Sequence, residues 1–236
     1  MRAIHFCTAL WMAGSSPAMT NGEKAGIVAA MTLAPVPHAL LLGYLLGSIP
    51  FGLFFVWLTG GGDVRKIGSG SIGATNVLRT GNYAAAALTL LFDAAKGAGA
   101  VLLARYLFAA DAALFAAFAA FLGHLFPIWL RFKGGKGIAV SFGILLALYW
   151  PVALLSLATW GVVAALFRIS SLSALVTAVA TPIYMGLFGK PHEAMLCVLL
   201  AMLVFVAHTQ NIRRLVRGEE PRIGSKNRVA GANSQR

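Results

Sequence analysis

Three hydrophilic stretches, set between long apolar runs, carry side chains suited to gripping an anion. The first contains Gly68-Ser69-Gly70-Ser71-Ile72-Gly73-Ala74-Thr75-Asn76, flanked by Arg65, Lys66 and Arg79. Glycines let backbone approach a ligand closely, successive N–H groups form an anion-binding concavity, and arginine suits bidentate phosphate contacts. The second runs from Gly123-His124-Leu125-Phe126-Pro127 to Lys133-Gly134-Gly135-Lys136-Gly137 at the start of an apolar segment. It predicts free N–H groups and two ammonium ions at a positive helix terminus. It is not a Walker A loop, because Leu130 stands where glycine is needed and Gly137 where Ser or Thr is needed. Nucleotide hydrolysis is therefore disfavoured. The third, His208 to Pro221, reads as a helix ending near Gly218, with His208, Asn211 and Leu215 on one face. Cationic loops on anionic headgroups would explain the arginines equally well, but not His208 and Asn211.

Asp93 and Lys96 stand three residues apart inside an apolar run. That spacing allows them to pair on one helix face. Ionisable residues within a span usually face the protein interior or a watery cavity, so they read either as neighbours of the site or as a structural ion pair. Glu219 reads as structural, paired with a nearby arginine. The sequence has no Gly-x-Ser-x-Gly elbow, no His-x-x-x-x-Asp pair and no His-Glu-x-x-His motif. Nothing in it predicts a metal site or a cofactor.

These residues must be held by membrane-spanning elements. Of 236 residues 59% are hydrophobic and 11% charged, where soluble domains carry about 25% charged residues. The net charge of +12 sits in loops and the tail, a membrane pattern rather than a nucleic-acid one. Cys7 and Cys197 form no disulfide framework. At about 20 apolar residues per span, candidate spans are 33–58, 82–108, 109–130, 172–188 and 193–208. The run 138–167 is too long for one span and carries Trp150-Pro151 at its middle, which predicts helices 138–149 and 151–167 joined by a tight turn. Pro50 and the small residues Gly43, Gly47, Ser48 and Gly52 predict a kinked, closely packed first span. The expected fold is all-α, with seven transmembrane helices, the N-terminus outside and the C-terminus cytoplasmic. Fourteen of the 19 Lys and Arg residues then lie inside and four outside, with Lys96 within a span. The three stretches share the cytoplasmic face. Residues 1–32 read as an extension, from an upstream start codon or a weak signal-like segment. Residues 33–224 read as the functional domain and 225–236 as a cytoplasmic tail.

Taken together, the three stretches resemble the bacterial acyl-phosphate:glycerol-3-phosphate acyltransferases, the PlsY family. Gly68 to Arg79, Gly123 to Gly137 and His208 to Glu220 match its three motifs in order. Gly47 to Gly52 and Phe92-Asp93…Lys96-Gly97 match as well, and Ser71 stands where the family usually has asparagine. The resemblance implies acyl transfer from acyl phosphate to the 1-hydroxyl of glycerol 3-phosphate, at the cytoplasmic face of the bacterial inner membrane. It implies no cofactor, no nucleic acid, membrane lipid as surroundings and a monomer. Ser69 and Arg79, with Asn76, are then expected to hold a phosphate and orient the donor, amid Gly68, Gly70, Ser71, Gly73 and Thr75. Lys133, Gly134, Gly135, Lys136 and Gly137 are expected to grip glycerol 3-phosphate. His208 and Asn211 would bind the acceptor or polarise the acyl carbonyl, and Lys96 would add cationic stabilisation. The attacking hydroxyl would lose its proton to a substrate phosphate oxygen, with His208 and His124 as competing bases. A small organic-phosphate transporter and a thioester-dependent acyltransferase are the alternatives.

Overall fold

The computed structural model describes Thr20, residues 35–108 and residues 110–224. Apart from Thr20, the expectations for residues 1–32 and 225–236 lie outside the described residues. Among the described residues the fold is all-helical. Five helices are long and apolar enough to cross a membrane, or six if one bent pair counts as a single span.

The first apolar run is broken as its proline predicts. Helix α1 (Pro35–Gly47) stops, and α2 (Phe51–Leu58) starts after Pro50. Proline has no N–H, so a break here leaves carbonyls without helical donors. Side chains from elsewhere supply them. Trp129 Nε1 donates to Ser48 O at 2.8 Å and Lys96 Nζ donates to Ile49 O at 2.8 Å. The short helix α3 (Ala74–Leu78) lies in the first hydrophilic stretch. Asn82 then caps α4 (Tyr83–Leu107), its Oδ1 accepting from the Ala85 N–H at 2.9 Å. Helix α5 (Ala112–Leu125) is followed by a 3₁₀ turn, Ile128–Leu130.

Helix α6 (Ile138–Phe167) is not one rod. Tyr149 takes φ −157° and ψ 94°, and Trp150-Pro151 follows. Arg105, at the far end of α4, donates to Ala147 O at 2.6 Å and covers a carbonyl that the break exposes. A continuous helix of this length would hold its ends about 45 Å apart. Instead, a chain of hydrogen bonds from Lys136 through Asn211 and Glu220 to Ser171 joins the two ends. The element therefore doubles back, as the sequence predicts. Helices α7 (Ser170–Leu187) and α8 (Pro191–Ala207) complete the bundle. After a 64° bend comes α9 (Thr209–Val216).

Small residues let the helices approach. A Cβ on Gly47 would stand 2.0 Å from Ala120 O, and one on Gly143 would stand 1.8 Å from Ala94 O. The core is built from Ala112, Ala113, Ala116, Ala117, Phe121, Val140 and Ile144. Large apolar side chains such as Tyr106, Leu166 and Leu187 point outward, as a lipid-facing surface requires. The packing makes a prediction. Gly143→Ala forces α4 and α6 apart and lowers stability by about 1–3 kcal/mol, read as a lower unfolding midpoint in detergent. Gly161→Ala, whose Cβ would meet nothing within 4 Å, leaves that midpoint unchanged or slightly raised.

Candidate active site

The first loop is organised by one amide. Asn76 is buried, and its Nδ2 group donates to the carbonyls of Val64, Ile67 and Ser71 at 2.8–3.0 Å. Its Oδ1 accepts the Ser69 N–H at 3.0 Å, and Arg79 Nη1 at 3.4 Å. Gly68 and Gly70, at φ +55° and +70°, allow the chain to wrap so tightly around this side chain. Asn76 thus shapes the cradle and has little hydrogen-bonding capacity left for a ligand. Asp63 holds Arg65 at 2.8 Å. That hydrogen-bonded partner draws the Asp63 carboxyl down to about 2. Arg79 is the loop's cation that reaches the interior.

The second loop is a knob folded onto the end of α5. Arg131 and Phe132 both take left-handed backbone, at φ 53° and 62°. The Phe132, Gly134 and Gly135 N–H groups donate to the carbonyls of Pro127, Leu125 and His124. A Cβ on Gly134 would stand 2.0 Å from His124 O, and one on Gly135 would stand 2.1 Å from His124 Nε2. These two glycines are therefore required by close approach, and their N–H groups are engaged within the loop. Lys133 is exposed. Lys136 points inward, its Nζ donating to Asn211 Oδ1 at 2.6 Å.

The third segment turns at His208, between α8 and α9. His208 Nδ1 lies 2.8 Å from Val204 O. A carbonyl only accepts, so in the neutral ring this contact puts the proton on Nδ1 and leaves Nε2 as an acceptor. The carboxylate that pairs with an arginine is Glu220, not Glu219 as expected. Arg214 Nε meets Glu220 Oε2 at 2.6 Å, while Asn211 Nδ2 and Ser171 Oγ donate to Oε1 at 2.6 and 2.7 Å. Glu219 is exposed. One residue of register, set by the turn at Gly218 with φ +71°, separates the two outcomes.

The three segments line one cavity of about 450 Å³. Of the expected site residues, Ser69, Ser71, Gly73, Thr75, Asn76, Arg79, His124, Lys136, Gly137, His208 and Asn211 stand on its wall. Gly68, Gly70, Lys133, Gly134, Gly135 and Lys96 do not. Lys96 faces away, bonded to Asp93 at 2.7 Å and to Ile49 O. Asp93, Ser171 and Glu220 also line the cavity. No sequence signal separates Glu220 from Glu219, and none distinguishes Ser171. The rest of the wall is apolar, with Leu90, Phe142, Leu157 and Trp160.

Charge at the polar end favours an anion. Arg79, Lys136 and Arg214 surround the carboxylate of Glu220, and the other carboxylate on the wall, Asp93, is paired with Lys96. Burial draws the Arg79 guanidinium below its ordinary value, opposed by Glu220. Burial would raise the Glu220 carboxyl, but hydrogen bonds from Asn211, Ser171 and Arg214 hold it below the usual range. Burial lowers Lys136 to about 8, with Glu220 opposing and Arg214 and Arg79 adding to the effect. The wall offers groups for positioning and for charge stabilisation.

The chain has clear relatives. A family profile described as glycerol-3-phosphate acyltransferase matches residues 38–218. A glycerol-3-phosphate acyltransferase of Jannaschia sp. (strain CCS1) is 56% identical over 184 residues, covering 78% of this chain and 91% of the relative. One from Rhodopseudomonas palustris (strain BisB5) is 57% identical over 188 residues, covering 80% and 96%. Two crystal structures of PlsY, an integral membrane glycerol 3-phosphate acyltransferase, share the fold. The glycerol 3-phosphate form has a TM-score of 0.76 at 33% identity, covering 80% of this chain and 96% of that one. The lysophosphatidic acid form gives 0.74 at 32% identity, covering 80% and 95%.

The value at Lys136 carries a prediction. Its charge is present below about pH 8 and is lost above it. Binding of a phosphomonoester, measured by calorimetry on the detergent-solubilised protein, weakens about tenfold between pH 7 and pH 9. Lys136→Arg, which stays charged, removes that step.

Proposed function

The chain belongs to the glycerol-3-phosphate acyltransferase family, and from that membership we propose that it transfers a fatty acyl group from acyl phosphate to the 1-hydroxyl of glycerol 3-phosphate. The products are 1-acylglycerol 3-phosphate and inorganic phosphate, which begins phospholipid synthesis. The observation that carries this reading is the convergence of three distant segments on one cavity, cationic at one end and apolar at the other. Two phosphate-bearing substrates suit the cationic end, and an acyl chain suits the wall of Leu90, Phe142, Leu157 and Trp160.

In the proposed reaction Arg79 and Ser69 hold the donor's phosphate, and Asn76 keeps their loop in shape. Lys136, beside Gly137, grips the acceptor's phosphate. With its proton on Nδ1, His208 can accept a hydrogen bond at Nε2 from the attacking hydroxyl. This favours acceptor binding over polarisation of the carbonyl. The hydroxyl oxygen bonds to the acyl carbon, the bond to the phosphate oxygen breaks, and the proton passes to a phosphate oxygen. Acyl phosphate already carries a good leaving group, so positioning and charge stabilisation can supply the rate without an enzyme nucleophile. Lys96 acts on the site from behind, through Asp93 and the broken first span.

For the setting we propose seven spans, with the two halves of α6 counted separately, the N-terminus outside and the site at the cytoplasmic face of the inner membrane. The excess of Lys and Arg on the site's side supports this orientation. We propose a monomer.

The test offers labelled glycerol 3-phosphate together with palmitoyl phosphate, palmitoyl-CoA or palmitoyl carrier protein to the purified protein. Lysophosphatidate is expected from the acyl phosphate alone. Product from a thioester alone would keep the acyl transfer and overturn the donor. No product from any donor, in folded protein, would return the cavity to a transport role. In the same assay Lys136→Ala raises the acceptor KM about 10- to 100-fold and leaves the donor KM nearly unchanged. A lost donor interaction would refute the assignment of the two phosphates.

A further inference from the structure

Beside the second loop stand two buried polar atoms: Asp93 Oδ1, whose close partner is the Lys96 ammonium at 2.7 Å, and His124 Nδ1, without a hydrogen bond among the described residues. They are 3.7 Å apart, on side chains only 2% and 3% exposed, and both residues line the cavity. An unpartnered buried histidine nitrogen is rare in folded interiors. Lys96 lies 2.7 Å from Asp93 Oδ1 and neutralises its charge. The same ammonium also donates to Ile49 O at 2.8 Å, and a carboxylate oxygen that accepts from Lys96 keeps a lone pair for a second donor. The His124 ring lies against Gly135, next to Lys136.

A hydroxyl group completes this pair. Its oxygen, about 2.8 Å from each atom, accepts from the histidine N–H and donates its own proton to the carboxylate. We infer that Asp93 and His124 together hold the secondary hydroxyl of the acceptor and so select a glycerol phosphate over acceptors lacking that group. The inference rests on the glycerol 3-phosphate reading above. With the acceptor's phosphate at Lys136, the secondary hydroxyl is the nearer of the two and falls at this corner, while the primary hydroxyl stays free to attack. A methylene in that position leaves His124 Nδ1 unpaired. A carbonyl cannot donate to the carboxylate.

The test measures kcat/KM for glycerol 3-phosphate and for 3-hydroxypropyl phosphate, which lacks only the secondary hydroxyl. Wild-type protein is expected to prefer glycerol 3-phosphate about 10- to 100-fold. His124→Gln and, separately, Asp93→Asn lose most of that preference. They lower kcat/KM for glycerol 3-phosphate more than for the deoxy acceptor, so the ratio of the two falls towards one. Equal use of both acceptors by the wild type overturns the inference without any variant. Equal losses on both acceptors in the variants also overturn it, since a packing role would act so. If the wild type makes no product from glycerol 3-phosphate with any donor, the parent reading fails and takes the inference with it.

Discussion

Lys96 joins the Ile49 carbonyl to the Asp93 carboxylate inside the bundle, and much of the architecture depends on that junction. An apolar slab supplies no water to an exposed carbonyl, so a broken helix there needs donors from within the protein. The first span breaks at Ser48–Pro50, and Trp129 and Lys96 supply those donors. The second break, at Tyr149, follows the same rule, with Arg105 reaching the Ala147 carbonyl. Each break redirects the chain. The first aims α2 at the glycine-rich loop, where Gly52 lies close against the Ile72 carbonyl. The second returns 151–167 to the cavity, bringing Leu157 and Trp160 opposite Leu90 on α4. A buried charge pair is weak evidence for stability by itself. Here its cation also satisfies a backbone carbonyl, which gives it a defined structural task.

The cavity's polar end is preorganised by side chains that spend most of their hydrogen bonds on the protein. Asn76 binds the backbone of its own loop, and Glu220 gathers Ser171, Asn211 and Arg214. What remains is directional. Arg79 and Lys136 face Glu220, whose charge Arg214 already meets, and His208 presents an acceptor nitrogen. An arriving phosphate meets charges already in place, so little reorganisation is needed when charge moves during reaction.

Much of this was legible in the sequence because membranes restrict the choices. Long apolar runs predict helices, Pro50 and Trp150-Pro151 predict the two breaks, and the asymmetric cations predict one shared face. The glycine-rich motifs located the cavity. What the sequence hid was the direction of individual side chains. Lys96 read both as a phosphate contact and as a structural ion pair with Asp93; the pair is formed, and no pattern foretold that the same ammonium reaches a carbonyl 47 residues away. Gly134 and Gly135 read as a phosphate cradle. Their tight fit against His124 reflects packing that only the folded loop reveals. Glu219 and Glu220 are adjacent and chemically alike, and the left-handed Gly218 decides which one turns inward.

The two ends of the cavity explain why one compact bundle can serve both a water-borne and a lipid-borne substrate. A phosphate needs fixed cations and hydrogen-bond donors, which loops outside the apolar slab supply without the desolvation cost of burying charge deep within it. An acyl chain needs apolar wall, which α4 and the two halves of α6 supply. Placing the loops where these helices end brings the two environments within one side chain's reach. Lys136 and Phe142 line the same cavity six residues apart on the chain. The reacting groups then meet where the two environments join. In the proposed reaction the bond that breaks lies between an apolar chain and a phosphate, and each fragment already occupies the surroundings it prefers.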